Sequence, residues 1–498
     1  MSDFRQLIRQ SSHYFGGKVG LLLLGFISFP LFTRLYSLAE YGLINLVIKI
    51  ILMLTALSKL GLQNSVSRFY KEYAISRDPG ALPTYFSSIF FGSVGISAVF
   101  ATVFALGVAF SPAWLLSAEV RRLLVLASVL LFTGTLRSIL INFLRAEERT
   151  RLYNALDITI KAVSIGMVCV LCFVSGATAA SFVKGTIVSE LVGLVLIMTP
   201  LVRDRMIRWQ CWQYRFFRKA LLFGMPLIGL ELGNLLLDSG DRLLVARFLG
   251  AEALGLYSAA SNIAGYIQDL LMAPVLLAVF PMYINLWTAR GPEATRRFLS
   301  TSLQGFVCVG IGVIAIVAPT ADPAVRLLAS SKFAPAAPLV PVLVVGLILF
   351  ATVPFFTAGL YLHNQTTTIA VTTIAAAIVN LGLNAVLLPR MGLLGGAFAA
   401  VLGYMGLLVV TAHLSSRYMR LEVRPGIVLR CVLAGVVAAT PSFFIHTGWT
   451  VTDLAAKGAI TGCVYLVLVY LGDRRIKALG DEALQSLRRR AVAVESEA

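Results

Sequence analysis

The residues with the most chemical meaning in this chain are charged side chains set inside long apolar runs. Lys18, Lys49, Lys59, Arg137, Lys161 and Lys184 interrupt stretches otherwise built of leucine, isoleucine, valine, phenylalanine and alanine. A charge at the centre of a membrane helix costs about 2.5–3.5 kcal/mol on insertion scales, so an unused one should be rare. All six lie in the first half of the chain, and the later runs hold only Arg430 and Lys457, each at a boundary. Lys59 and Lys184 sit close enough to the ends of their runs to reach an interface along their own stems. Lys18, Lys49 and Arg137 are deeper. Lys161 has Asp157 four residues before it on the same helix face, so a local ion pair competes with any role in binding. Cations confined to one part of the chain describe a one-sided basic cavity suited to an anionic ligand, with Lys18, Lys49, Arg137 and Lys161 as its candidate binding residues. Three acids, Glu190, Glu231 and Asp269, also fall near mid-run. They either pair with these cations or other polar groups, or carry a coupling proton or sodium ion. Asn234 and Asn262 can hydrogen-bond a sugar or a neighbouring helix, and the sequence leaves both open.

Other chemistries are poorly served. Gly16-Gly17-Lys18 lacks the upstream glycine of a nucleotide-binding loop and has Val19 where serine or threonine is needed, so ATP hydrolysis is not expected. The four histidines are scattered without metal spacing. Cys169-x-x-Cys172 has no companion pair and reads as two small packing residues. A glycosyltransferase or polymerase would need clustered carboxylates or a large external loop, and neither is visible. No catalytic residue, metal or cofactor is expected, and the chain reads as a non-enzyme.

The elements that position these charges are membrane helices. The chain has 498 residues, 58% of them hydrophobic and 13% charged, against about 25% charged in an average soluble protein. Apolar runs of about 20 residues, the length of a helix crossing the hydrocarbon layer, recur from end to end. Fourteen spans are expected, near 13–33, 42–62, 85–107, 122–143, 154–176, 179–201, 217–238, 254–278, 300–320, 338–360, 369–388, 393–414, 427–447 and 454–472. They lack the two-residue alternation of barrel strands, and a helix satisfies its own backbone in lipid. The fold class is therefore all-α and polytopic. The net charge of +18 is read as topology before nucleic acid. Most of the cations gather on one set of loops and in the tail, which places both termini in the cytoplasm; Arg34, Arg242 and Arg247 fall in the opposite set. The basic connection at 201–217 reads as a linker between two halves. The expected organisation is a six-helix lobe over 1–203, a second over 204–424, and two further helices with a charged tail over 425–498, whose Arg488-Arg489-Arg490 would meet the anionic inner leaflet. A loop repeats across the halves: 32–43 matches 245–256 at an offset of 213, with Arg34 on Arg247, Gly42 on Gly255 and Leu43 on Leu256.

The motif Phe32-Thr-Arg-Leu-Tyr-Ser-Leu-Ala-Glu-Tyr-Gly-Leu resembles the first external loop of bacterial polysaccharide flippases of the Wzx type (PST family), whose superfamily also holds the MATE exporters and the lipid II flippases. Gly61-Leu62 with Ser67-Arg68-Phe69-Tyr70, Gly224-Met225-Pro226, Asp241-Arg242, Gly255-Leu256-Tyr257-Ser258 and Leu388-Pro389-Arg390-Met391-Gly392 are similar too, in the same order. The resemblance implies alternating access that moves an undecaprenyl-pyrophosphate-linked oligosaccharide from the inner to the outer leaflet of the bacterial cytoplasmic membrane, for O-antigen or exopolysaccharide synthesis. With such a substrate, the pyrophosphate would meet the basic cavity of Lys18, Lys49, Arg137 and Lys161, with H+ or Na+ as a coupling ion and a polysaccharide polymerase and chain-length proteins as partners. Prolines Pro30, Pro226, Pro274 and Pro281 would allow bending. The alternatives are a lipid II flippase and a MATE-like cation-coupled exporter of drugs or metabolites. The MATE branch favours a carboxylate in an early helix, and here the first four spans hold none.

Overall fold

The computed structural model describes residues 2–472 apart from 77, 79, 113, 115 and 446, and gives the backbone alone for 2–16, 18, 274, 276 and 277. The expected basic tail, with Arg488-Arg489-Arg490, lies outside the described residues. Within them every regular element is helical. The helices are α1 (Ser2–Leu35), α2 (Leu38–Ser58), α3 (Leu62–Ala74), α4 (Ala81–Ala109), α5 (Ala118–Ala146), α6 (Thr150–Ser175), α7 (Ala179–Arg203), α8 (Tyr214–Gly224), α9 (Ile228–Pro274), α10 (Phe280–Leu328), α11 (Leu339–Leu362), α12 (Thr366–Met391), α13 (Leu393–Ser416), α14 (Pro425–Phe443) and α15 (Thr450–Gly472).

Among the described residues twelve segments are long and apolar enough to cross a membrane, and the chain is a multi-pass, all-α membrane protein. The first expected span is the shorter apolar stretch Val19–Leu35. The seventh and eighth are joined in one segment, Tyr214–Ala273. Within it α9 breaks at Gly250 (φ 87°, ψ −178°), a conformation open to glycine and strained for any side chain. At the offset of 213, Gly250 corresponds to Ser37, the residue that separates α1 from α2 and caps α2 by accepting a hydrogen bond from the Glu40 amide at 3.2 Å. Both copies of the repeat therefore turn at the same place by different local chemistry.

The chain divides into two compact units. The first comprises residues 1–258 with 370–396. Its core holds Phe86 stacked on Phe143 at 4.1 Å, and the buried Tyr85 hydroxyl donates to the Ser65 carbonyl at 2.6 Å. Helices in lipid associate by close packing of small residues more than by water exclusion. Accordingly Gly185 and Gly193 of α7 lie against Val168 and Ile160 of α6, and Gly229, Gly233 and Gly240 of α9 lie against α12. At one end of the unit Arg149 binds Asp204 at 2.5 Å. Burial opposes the Arg149 charge, but Asp204 and Glu147 outweigh it and hold the guanidinium above the usual arginine value.

The second unit comprises residues 259–369 with 397–498. It packs α14 and α15 against α10 through Cys308, Cys431, Ala434, Ala438 and Tyr465. The Tyr465 hydroxyl donates to the Cys308 carbonyl at 2.6 Å, and Ser415 of α13 donates to the Phe356 carbonyl of α11 at 2.7 Å.

Candidate functional site

The charges inside the first unit form two groups. The first lies along an antiparallel seam between α2 and the segment made of α8 and the opening half of α9. Read from one end, Gly61 (φ 71°) faces Gly224 backbone to backbone: a Cβ on Gly61 would stand 2.0 Å from the Gly224 carbonyl oxygen. Lys59 then donates to Glu231 at 2.6 Å, and Gln63 donates to the other oxygen of the same carboxylate at 2.8 Å. Further along, Lys49 reaches Asp238 at 3.3 Å. At the far end Gly42 meets Ala251 and Gly255, where a Cβ on Gly42 would stand 2.0 Å from the Ala251 carbonyl oxygen and one on Gly255 2.1 Å from that of Leu38. Residue numbers fall along α9 as they rise along α2, so one continuous contact carries two glycine crossings and two ion pairs. The glycines that define the sequence repeat are the ones that touch.

Beside Lys49 the seam carries a second acid and base. Asp238 also accepts from the Ser239 hydroxyl at 2.6 Å. Asp241 accepts from the Tyr257 hydroxyl at 2.5 Å and from the Arg242 backbone amide at 2.8 Å. Arg242 and Asp241 are charged neighbours of Lys49. Arg242 was expected in a loop, but α9 continues as helix past it to Gly250, and the side chain is only 5% exposed.

The second group joins α5, α6 and α7. Arg137 donates through Nε to Glu190 at 2.8 Å and lies 3.6 Å from Asp157 through Nη1. Lys161 has Arg137 and Asp157 as its charged neighbours. Asp157, which the sequence offered as a local partner for Lys161, also lies against Arg137 of the adjacent helix.

The four candidate binding residues and three candidate coupling acids thus fall as follows. Lys49 and Glu231 lie on the seam, and Arg137, Lys161 and Glu190 lie in the second group. Lys18 is on α1, with its side chain outside what is described. Asp269 is exposed on the closing half of α9, in the second unit. Sequence reasoning missed Asp238 as the partner of Lys49. The available signal was its spacing of seven from Glu231, which puts both acids on one face of α9. Asp241 and Arg242 stand out in the sequence as a motif, and Arg242 as a loop cation, but neither has a place in the site there.

Chemically, these are ion pairs able to exchange partners. A pair in a low-dielectric setting is costly to break without a replacement, and a phosphate oxygen is a fit replacement for a carboxylate on lysine or arginine. Lys49 and Arg137 keep 18% and 33% of their side chains exposed, so neither cation is fully enclosed by protein. Among the described residues no cluster of three or more histidine, cysteine, aspartate or glutamate side chains is arranged to hold a metal ion.

Comparison with known proteins agrees with this architecture. Residues 7–287 match the family model described as polysaccharide biosynthesis protein. Among curated proteins no sequence matches. The fold is similar to that of the lipid II flippase MurJ in an inward closed conformation, with a TM-score of 0.74, 13% identity, and 94% of this chain and 99% of that one covered. It is similar also to an inward-facing multidrug resistance MATE family transporter of the MOP superfamily, with a TM-score of 0.63, 15% identity and coverage of 80% and 94%. A MOP superfamily transporter from Pyrococcus furiosus gives a TM-score of 0.58 at 16% identity, with coverage of 82% and 94%.

Proposed function

We propose that this chain, which belongs to the family of polysaccharide biosynthesis proteins, is a flippase that carries a lipid-linked polysaccharide precursor across the membrane. The substrate is an undecaprenyl-pyrophosphate-linked oligosaccharide, moved from the cytoplasmic to the periplasmic leaflet of the bacterial inner membrane for surface polysaccharide synthesis. Two lobes, residues 1–203 and 204–424, rock in alternating access, with 425–498 appended and both termini in the cytoplasm. The pyrophosphate takes the place of carboxylates on Lys49 and Arg137, with Lys161 beside Arg137 and Lys18 on α1. The isoprenoid tail stays in lipid. Glu190, Glu231 and Asp269 are the candidates for H+ or Na+ coupling. With a negative interior, each negative charge moved outward gains about 2.3 kcal/mol per 100 mV, so ATP is not required. A polymerase and chain-length proteins would receive the product.

The observation that carries this reading is the pair of half-buried, carboxylate-held cations, Lys49 and Arg137, inside a fold shared with a lipid flippase. Lys49→Ala and Arg137→Ala should each abolish polysaccharide export while membrane protein level stays within about twofold of wild type. Normal export by both variants would remove the basic-cavity mechanism. Lipid II as substrate is the second reading, favoured by the likeness to MurJ along nearly the full length of both chains. Loss of viability on deletion would select it; loss of surface polysaccharide alone would select the first.

A further inference from the structure

Two of the cations expected to bind substrate are already held: Lys49 by Asp238 and Arg137 by Glu190 and Asp157. On the seam, beside the paired Lys59 and Lys49, a third cation is not held in this way. Arg242 is 5% exposed, and its Nε and Nη1 are buried with no hydrogen-bond partner among the described residues. Leaving a buried charged donor unmet carries the desolvation penalty of that group with nothing to offset it, a cost that selection should remove unless the donors are used. A methionine or leucine would fill the same space on α9 at no such cost.

We propose that Arg242 is the anion-binding residue of the seam: its two unmet guanidinium nitrogens take an oxyanion of the phosphate class, the charged end of the lipid-linked substrate. This rests on the flippase reading above and adds to it the residue with free binding capacity. Three observations converge on it. The neighbouring carboxylate, Asp241, accepts from Tyr257 and from the Arg242 amide, and it leaves these two guanidinium nitrogens unmet. Lys49 is a charged neighbour, so an oxyanion on Arg242 lies within the field of a second cation. The same buried region holds further unmet polar groups, Ser258 Oγ and Asn384 Oδ1. A Cβ on Gly396 would lie 3.3 Å from the Tyr257 ring and 3.6 Å from Asn384 Oδ1, which places the tyrosine that serves Asp241 next to that asparagine.

Asp238 and Asp241 give the site a second property. Together with Lys49 and Arg242 they make a group of formal charge zero, so an arriving oxyanion meets two donors and two repelling carboxylates. A carrier needs a hold weak enough to release, and a bare pair of cations in low dielectric would not release.

The test uses the full-length chain in detergent, with farnesyl pyrophosphate as probe and farnesol as uncharged control, read as ligand-dependent shifts in thermal unfolding. Wild type should respond to farnesyl pyrophosphate and not to farnesol. Arg242→Met should weaken the response about tenfold or more, as expected for loss of charged hydrogen bonds. Arg242→Lys, which keeps the charge and loses the planar fork, should weaken it several-fold with little change in unliganded unfolding temperature. Arg326→Met, in the second unit, should bind as wild type. If Arg242→Met does not fold, Arg242→Lys decides alone. Undiminished binding by the Arg242 variants overturns the assignment and leaves the flippase reading standing. A wild-type chain that does not distinguish farnesyl pyrophosphate from farnesol removes the phosphate-lipid reading, and the assignment falls with it.

Discussion

The two units solve the same problem, helices packed in lipid, with different materials. The first places ion pairs inside its helices: Lys59 with Glu231, Lys49 with Asp238, and Arg137 with Glu190 and Asp157. The ion pairs found in the second lie at helix ends and in amphipathic stretches, as Arg296 with Glu293 and Glu422, Arg297 with Glu293, and Arg326 with Asp322. Its α10–α14–α15 core is made of cysteine, alanine and one tyrosine. Close approach differs likewise. On the seam of the first unit backbone meets backbone, whereas in the second Gly312 faces the ring of Tyr465. That difference predicts that transport disturbs the seam of the first unit and leaves the packing among α10, α14 and α15 intact, as a scaffold.

The largest expected effect sets the glycines against each other. In Gly42→Ala the new carbon would stand 2.0 Å from a carbonyl oxygen, and in Gly255→Ala 2.1 Å, so two helices must separate. In Gly312→Ala it would stand 2.5 Å from a ring carbon of Tyr465, which can swing. Overpacking costs about 1–3 kcal/mol where side chains give way, and more where backbone must. Gly42→Ala and Gly255→Ala should lower membrane abundance and apparent unfolding temperature well beyond Gly312→Ala. The reverse order would erase the contrast between the units.

Next in size are the ion pairs. Lys59→Met leaves Glu231 with Gln63 alone, and Glu231→Gln leaves Lys59 without its carboxylate. Each should cost about 2–3 kcal/mol, since the partner left behind is a charge out of water. The double variant should recover part of that, giving a coupling of about 1–2 kcal/mol in a double-mutant cycle read by unfolding. The control is Arg326 with Asp322, both about half exposed, where the coupling should be about 0.3–0.5 kcal/mol. Equal couplings would mean that the seam pair is no better shielded than a surface pair.

The sequence carried the fold class because composition alone demands lipid, and apolar runs mark helices at almost every position. It carried the repeat because Arg34, Gly42 and Leu43 recur as Arg247, Gly255 and Leu256. It did not carry the pairing of these two loops, which rests on contact between residues 213 apart. It placed the end of the seventh span near 238, where hydrophobicity falls, although the helix runs on to Gly250 because its polar residues there face α2 and Tyr257 rather than water. Arg242 was hidden by that boundary. Lys161 and Asp157 show a second limit. Spacing on one helix left a local pair open, and packing of α5 against α6 adds Arg137 as a partner of Asp157, which no spacing on α6 could show. Intrahelical geometry is local and legible; partner choice between helices is set by the fold.

The smallest expected effect is in the second unit. Tyr465 donates to the Cys308 carbonyl at 2.6 Å and its ring covers Gly312, while the Cys431 thiol lies 3.3 Å from Cys308 Sγ. Tyr465→Phe removes the hydroxyl and keeps the ring. The Cys308 carbonyl still accepts its own helical hydrogen bond, and hydrogen bonds between membrane helices average about 0.6 kcal/mol. Stability should therefore fall by no more than about 1 kcal/mol, and polysaccharide export should stay at the wild-type rate. Tyr465→Ala deletes the ring, opens a cavity between α10 and α15 and should cost about 3–5 kcal/mol, again with export lost only in proportion to protein. Both comparisons normalise export to the amount of folded chain in the membrane. If Tyr465→Phe instead slowed export per folded molecule, α10 and α15 would have to move during each cycle, and the scaffold role would pass to some other part of the second unit.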